Sequence, residues 1–150
     1  VGSPYQTTEN LVEDFMFLQE FQPAMIGIGP YVRHHATPFR DFENGSVEMT
    51  AMCIAILRLL FPTANIPSTT AMQTLAEDGR NRGILAGANV FMPNLSPTRV
   101  RKSYALYDNK AAFALEAAEN LRELKAQIAN LGYEIVMSRG DFTGRENHYV

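Results

Sequence analysis

The chain has 150 residues, 46% of them apolar, and a formal net charge of −3, which is one domain's length with enough apolar side chains for a core. A balance this even announces neither a nucleic-acid face nor a membrane face. The longest apolar stretch, Ala51 to Phe61, is broken by Arg58 and falls far short of the roughly 20 residues a membrane span needs.

The opening Val1-Gly2-Ser3-Pro4 reads as a loop, with no basic or apolar region of the signal-peptide kind. One cysteine, Cys53, excludes an intramolecular disulfide and fits a reducing cytoplasm. It also falls short of the three or four thiolates of a protein-borne [4Fe–4S] site. Cys53 sits in the run Met49, Met52, Cys53, Ile56, Leu57, Leu60, whose spacing predicts one buried helix face. Nothing basic adjoins it, so it reads as a core thiol. His34 and His35 are consecutive and point different ways in an extended segment, so they suggest no metal site.

Taken in chain order, Thr7 or Thr8 offers an N-cap with Glu9 in the first turn, and Leu11, Val12, Phe15, Met16 and Leu18 predict a helix that ends before Pro23. Ala24 to Pro30 is a short apolar run that suits a strand buried on both faces. A polar segment, Tyr31 to Gly45, leads to Ser46 as N-cap of a second helix, about Val47 to Leu60. Asn65 to Thr70 predicts a brief strand made irregular by Pro67. After a looser stretch comes a third helix, near Gly79 to Ala86. Ala88 to Pro93 predicts a third strand. The loop 94–110 carries Arg99, Arg101 and Lys102, readable as an anion site or a solvated loop. A long amphipathic helix from about Ala111 to Asn130 follows, with Gly132 at its C′ position. Tyr133 to Met137 predicts a fourth strand before a loose polar tail.

Helices alternating with short apolar strands predict an α/β fold of parallel βα units. Long loops after the strands and short ones after the helices place a ligand site at the strands' C-terminal ends. Three or four units are too few to close an eight-stranded barrel, so the expectation is half of a (β/α)8 TIM-type barrel with a long C-terminal helix, in one domain over residues 1–150.

Candidate residues follow those strand ends. Gly27 and Gly29 allow either close approach of a ligand or tight packing. Thr69 and Thr70 offer hydroxyls to a small molecule, or cap the next helix. Met92 reads by period as core filler. Tyr104 and Tyr107 either lean over a pocket or belong to the core. Together they describe a ligand site with no general acid/base pair and no nucleophile triad.

Four segments carry a resemblance: Val1-Gly2-Ser3-Pro4-Tyr5-Gln6-Thr7, Met25-Ile26-Gly27-Ile28-Gly29-Pro30-Tyr31, Asn65-Ile66-Pro67-Ser68-Thr69-Thr70-Ala71-Met72 and Gly87-Ala88-Asn89-Val90-Phe91-Met92-Pro93-Asn94. In this order and spacing they resemble the second half of the HydE-type radical S-adenosylmethionine (SAM) maturases of [FeFe]-hydrogenase, and more distantly the biotin synthases. The resemblance implies a full (β/α)8 barrel whose first half holds a [4Fe–4S] cluster on a Cys-x-x-x-Cys-x-x-Cys loop, with SAM cleaved to a 5′-deoxyadenosyl radical.

It further implies that Met25, Gly29, Pro30, Tyr31 and Val32 border SAM. Thr69, Thr70, Met92 and Tyr107 would line the substrate cavity, with Tyr104 nearby, around a small cysteine-bearing iron carbonyl cyanide species. Departures are equally plain. The cluster motif is absent, no cysteine follows Tyr107, and Arg33-His34-His35 stands where the family has a Pro-His-Pro-like pattern.

The expectation is therefore a parent enzyme whose radical-generating half this chain lacks, so that the chain alone binds no cluster and is inactive. Its partners would be a small-molecule substrate and either the missing N-terminal half or a second copy, paired so as to mimic a closed barrel. A biotin-synthase-like parent and a stand-alone binding or assembly module are the alternatives.

Overall fold

The computed structural model describes residues 1–92, 97, 99, 121–138 and 140–142. The described helices are α1 (Thr8–Phe21), α2 (Val47–Leu60), α3 (Thr70–Leu75), α4 (Gly79–Leu85) and α5 (Leu121–Asn130).

Local chemistry sets their ends. At the start of α1 the Thr7 hydroxyl accepts from the Asn10 N–H at 3.3 Å, and the Asn10 side chain accepts from the Thr7 N–H at 3.1 Å, a reciprocal box that satisfies two otherwise orphaned donors. The helix stops where Gln22 turns left-handed (φ 52°) ahead of Pro23. Ser46 caps α2 by accepting from the Met49 N–H at 3.1 Å. At the far end of α2, Arg58 donates to the carbonyls of Phe61 (3.1 Å), Pro62 (2.9 Å), Ala64 (2.9 Å) and Gly87 (2.8 Å). One guanidinium thus ties this helix end to the turn after α4. α5 closes with Gly132 at φ 84°, whose N–H reaches the Ala129 carbonyl while that of Tyr133 reaches Ile128, the two bonds of a Schellman motif.

Two expectations about helices change. The stretch between the second strand and Gly79 contains α3, too short for apolar periodicity to show. The buried face of α2 is Val47, Thr50, Ile54 and Leu57 with Cys53 at its flank, while Met49, Met52, Ile56 and Leu60 lie outward. The helix is apolar on two opposite sides, so periodicity alone picked the wrong one.

Three extended segments run parallel. Met25 pairs with Asn65 and Pro67 with Val90. The Asn65 N–H donates to Ala24 and its carbonyl accepts from Ile26, while Val90 donates to Ile66 and accepts from Ser68. Val1 straddles Pro30 in the same way, donating to Gly29 (2.7 Å) and accepting from Tyr31 (2.8 Å). These are isolated pairs, and the reason is chemical. Pro67 has no N–H with which to extend the pairing towards the 24–31 segment. On its other side, Asn89 Oδ1 takes the Ile66 N–H at 2.8 Å, where a backbone carbonyl would continue a ladder.

The first segment is not buried on both faces. Ile26 is buried, whereas Ala24, Met25 and Gly27 are exposed. Tyr133 to Met137 forms no strand, having no paired neighbour among the described residues; Tyr133, Val136 and Met137 are exposed, and only Ile135 packs inward.

The main core gathers Ile26, Val47, Ile54, Leu57, Phe61, Ala64, Ile66, Met72 and Ala88, with Phe15 and Leu18 of α1 against it. A second cluster joins Ile84 of α4 to Leu124 and Ile128 of α5. Gly79 is required between α3 and α4, because a β-carbon there would run into the Met72 carbonyl.

Candidate functional site

The register of the parallel segments brings three of the candidate positions level. Met25 faces Asn65, and four residues further on Gly29 meets Thr69: a β-carbon on Gly29 would stand 2.8 Å from Thr69 Oγ1. Pro67 faces Val90, so Met92 is level with Thr69 by the same count. Gly29, Thr69 and Met92 thus form a row across the C-terminal ends of the segments. Pro30 is buried beside it, and Tyr31 and Val32 are half-buried.

Tyr31 is fixed through its backbone, its N–H on Val1 and its carbonyl on the Gly45 N–H, both at 2.8 Å. Its hydroxyl donates to the Phe39 carbonyl at 3.3 Å. Met25 does not join the row. It lies four residues upstream of Gly29, about 13 Å along an extended chain, and is 47% exposed. Met92 is 64% exposed, which overturns its reading as core filler. Tyr104, Tyr107, Arg101 and Lys102 lie outside the described residues, and Arg99 is exposed.

Thr69 decides between capping and ligand binding. It occupies the N-cap position of α3, yet its side chain makes no cap hydrogen bond. Its Oγ1 is buried and has no hydrogen-bond partner. A buried hydroxyl left unmatched costs roughly 1–3 kcal/mol, so the position is not explained by local structure. Thr70 is half-buried and its carbonyl accepts from the Thr74 hydroxyl at 3.1 Å.

Sequence reasoning missed Arg80. Written as Gly-Arg-Asn-Arg it resembles a solvated helix start, yet Arg80 is only 3% exposed. Its guanidinium lies 5.1 Å from the centre of the Phe91 ring, the residue before Met92, and its carbonyl accepts from the buried Ser68 hydroxyl at 3.0 Å. A cation over an aromatic face is attracted by the ring quadrupole, so the end of the third segment carries positive charge.

Cys53 is 2% exposed, and burial pushes its thiol above the usual range. It is a core thiol, as its surroundings in the sequence suggested. The chain's single cysteine therefore does not fit a cluster ligand, and among the described residues no group of three or more metal-ligating side chains converges. The spare Thr69 hydroxyl beside the bare backbone of Gly29 does fit a small polar molecule. No described helix is long and apolar enough to cross a membrane.

Over 110 residues, 73% of this chain, the sequence is 44% identical to the [FeFe] hydrogenase maturase subunit HydE of Thermotoga maritima. The chain is a sequence relative of HydE. The match covers 32% of that protein, so the chain spans about a third of the length of this HydE relative. Two 3-methylornithine synthases are also similar. That of Methanosarcina acetivorans is 26% identical over 82% of this chain and 33% of its own length, and that of Methanosarcina barkeri is 27% identical over 73% and 29%. No family model matches the chain. The HydE likeness agrees with the resemblance read from the motifs around Gly29, Thr69 and Met92.

Proposed function

We propose that this chain forms one wall of the ligand cavity of a HydE-type radical SAM enzyme acting in [FeFe]-hydrogenase maturation. Its alternation of parallel segments and helices supplies half of a (β/α)8 barrel in this reading. The observation that carries the proposal is the buried, partnerless Thr69 hydroxyl beside Gly29, inside a motif shared with a protein 44% identical.

SAM, when bound in the complete enzyme, supplies a 5′-deoxyadenosyl radical. The residues of this chain bind and orient. Gly29 and Pro30 let the ligand approach the backbone closely, since position 29 carries no β-carbon. The Thr69 hydroxyl, already desolvated, donates to or accepts from a polar group of the substrate without further loss of hydration. Thr70 and Met92 widen the contact with a second hydroxyl and a polarisable thioether, and Tyr104 and Tyr107 complete the wall. Arg80 favours an anionic group at the third segment's end. The cluster belongs to the rest of the enzyme, and this chain alone is inactive. Its place is a reducing cytoplasm, with the remaining part of the barrel or a second copy against its open edges.

A second reading is a radical synthase of amino-acid chemistry, favoured by the 3-methylornithine synthases, one of which matches 82% of this chain. A chimera separates the two. The matching 110-residue stretch of this chain replaces its counterpart in the T. maritima protein, or in the M. acetivorans synthase. Hydrogenase activation by the first chimera alone supports the HydE reading; 3-methylornithine formation by the second alone supports the other.

A further inference from the structure

We propose that the outward face of α2 is a helix-docking seam through which two copies of this chain pair about a two-fold axis. One side of α2 buries Val47, Thr50, Ile54 and Leu57. The opposite side presents Met49, Met52, Ile56, Leu59 and Leu60, between 38% and 82% exposed. A helix apolar on two opposite faces is one that is covered on both.

The spacing identifies the cover as another helix. Met49, Met52, Ile56 and Leu59 follow one another at intervals of three, four and three residues, which keeps a stripe in register along a helix crossing at about 20°. The stripe bears no charge. Its neighbours Glu48 and Arg58 are both engaged within their own chain, Glu48 with Arg82 at 2.6 Å and with the Ser46 hydroxyl at 3.0 Å, and Arg58 with the carbonyls after α2. A charged partner is therefore not selected, and nothing repels an identical helix.

Size and symmetry favour a second copy. An antiparallel two-fold pair sets Met49 against Leu59 and Met52 against Ile56, large against large on both sides of the axis. The stripe exposes on the order of 500 Å² per copy, and two copies reach the ~1,000 Å² that a specific but weak interface needs. Methionine at two of the four positions lets such a contact adapt. This seam is separate from the sheet edges and stands whether or not the proposed activity does.

The test is sedimentation of the 150-residue chain across the micromolar range, beside Leu59→Glu and Met52→Lys, with circular dichroism confirming that the variants fold. A concentration-dependent dimer weakened at least tenfold by both substitutions is expected. In addition, Met52→Cys combined with Ile56→Cys, on oxidation, gives a covalent dimer faster than Val12→Cys on α1. A monomer throughout, a dimer indifferent to Leu59→Glu, or cross-linking no faster than at Val12 overturns the proposal.

Discussion

Thr69 Oγ1 lies where a β-carbon on Gly29 would come within 2.8 Å, and it has neither a capping bond nor any other hydrogen-bond partner. Two residues forty positions apart are thus adjusted to each other, one by lacking a side chain and the other by leaving a hydroxyl unmatched. Thr69→Val keeps the shape and removes only that hydroxyl. Because no bond is lost, thermal unfolding should show stability unchanged or raised by about 1 kcal/mol. In the T. maritima chimera the same substitution should raise the substrate concentration needed for half-maximal turnover about tenfold. A loss of stability with unchanged turnover would point to a structural hydroxyl instead.

Gly29→Ala and Gly27→Ala should differ. A β-carbon at 29 displaces Thr69, whereas one at 27 meets nothing within 4 Å. We expect a cost of about 1–3 kcal/mol at position 29 and within ~0.5 kcal/mol at position 27, read from urea midpoints. Equal effects would show that the Gly29–Thr69 contact is not specific.

Gly79→Ala should be the most damaging glycine substitution. The clash is with the Met72 carbonyl, a backbone atom held by α3, so no side chain can move aside. A loss above ~3 kcal/mol is expected, measured by denaturant unfolding.

Arg58→Met should cost about 2–4 kcal/mol, because it strips donors from the carbonyls of Phe61, Pro62, Ala64 and Gly87 together. Arg58→Lys should recover little of this, since an ammonium cannot span the same carbonyls as a planar guanidinium. Full recovery by lysine would assign the effect to charge alone.

Cys53 gives a pH dependence. Burial raises its thiol, with the Val1 ammonium opposing more weakly. A group whose folded value is raised holds its stabilising effect below the unfolded value and loses it as pH rises through the folded one. Stability should therefore decline from about pH 8.5 upwards, and decline less in Cys53→Ala, followed by urea unfolding at successive pH values. Identical slopes would remove Cys53 as the cause.

Local signals made the helix ends legible. Thr7 with Asn10, Ser46, and Gly132 act within a few residues of themselves, so sequence suffices to place them. The outward stripe of α2 was misread because Met49, Met52, Ile56 and Leu60 have the period of a buried face; only packing shows that Val47, Ile54 and Leu57 turn inward. α3 escaped notice because Thr70–Leu75 is under two turns. The strands were visible as apolar runs, but the truncation of their pairing depends on Pro67 and on the Asn89 side chain. Gly29 and Thr69 were recognisable as residue types, yet their contact is a matter of register between distant segments. Arg80 was invisible, since its burial depends on Phe91 and Ser68 rather than on its neighbours in sequence.

The most direct measurement of the central claim is 5′-deoxyadenosine formed from SAM, compared between the 150-residue chain and the T. maritima chimera that contains its matching stretch. The account predicts product from the reconstituted chimera and none from the chain alone, because the cavity wall is here and the cluster ligands are not. Reproducible 5′-deoxyadenosine from the isolated chain, or a folded, cluster-loaded chimera that forms none, would contradict it.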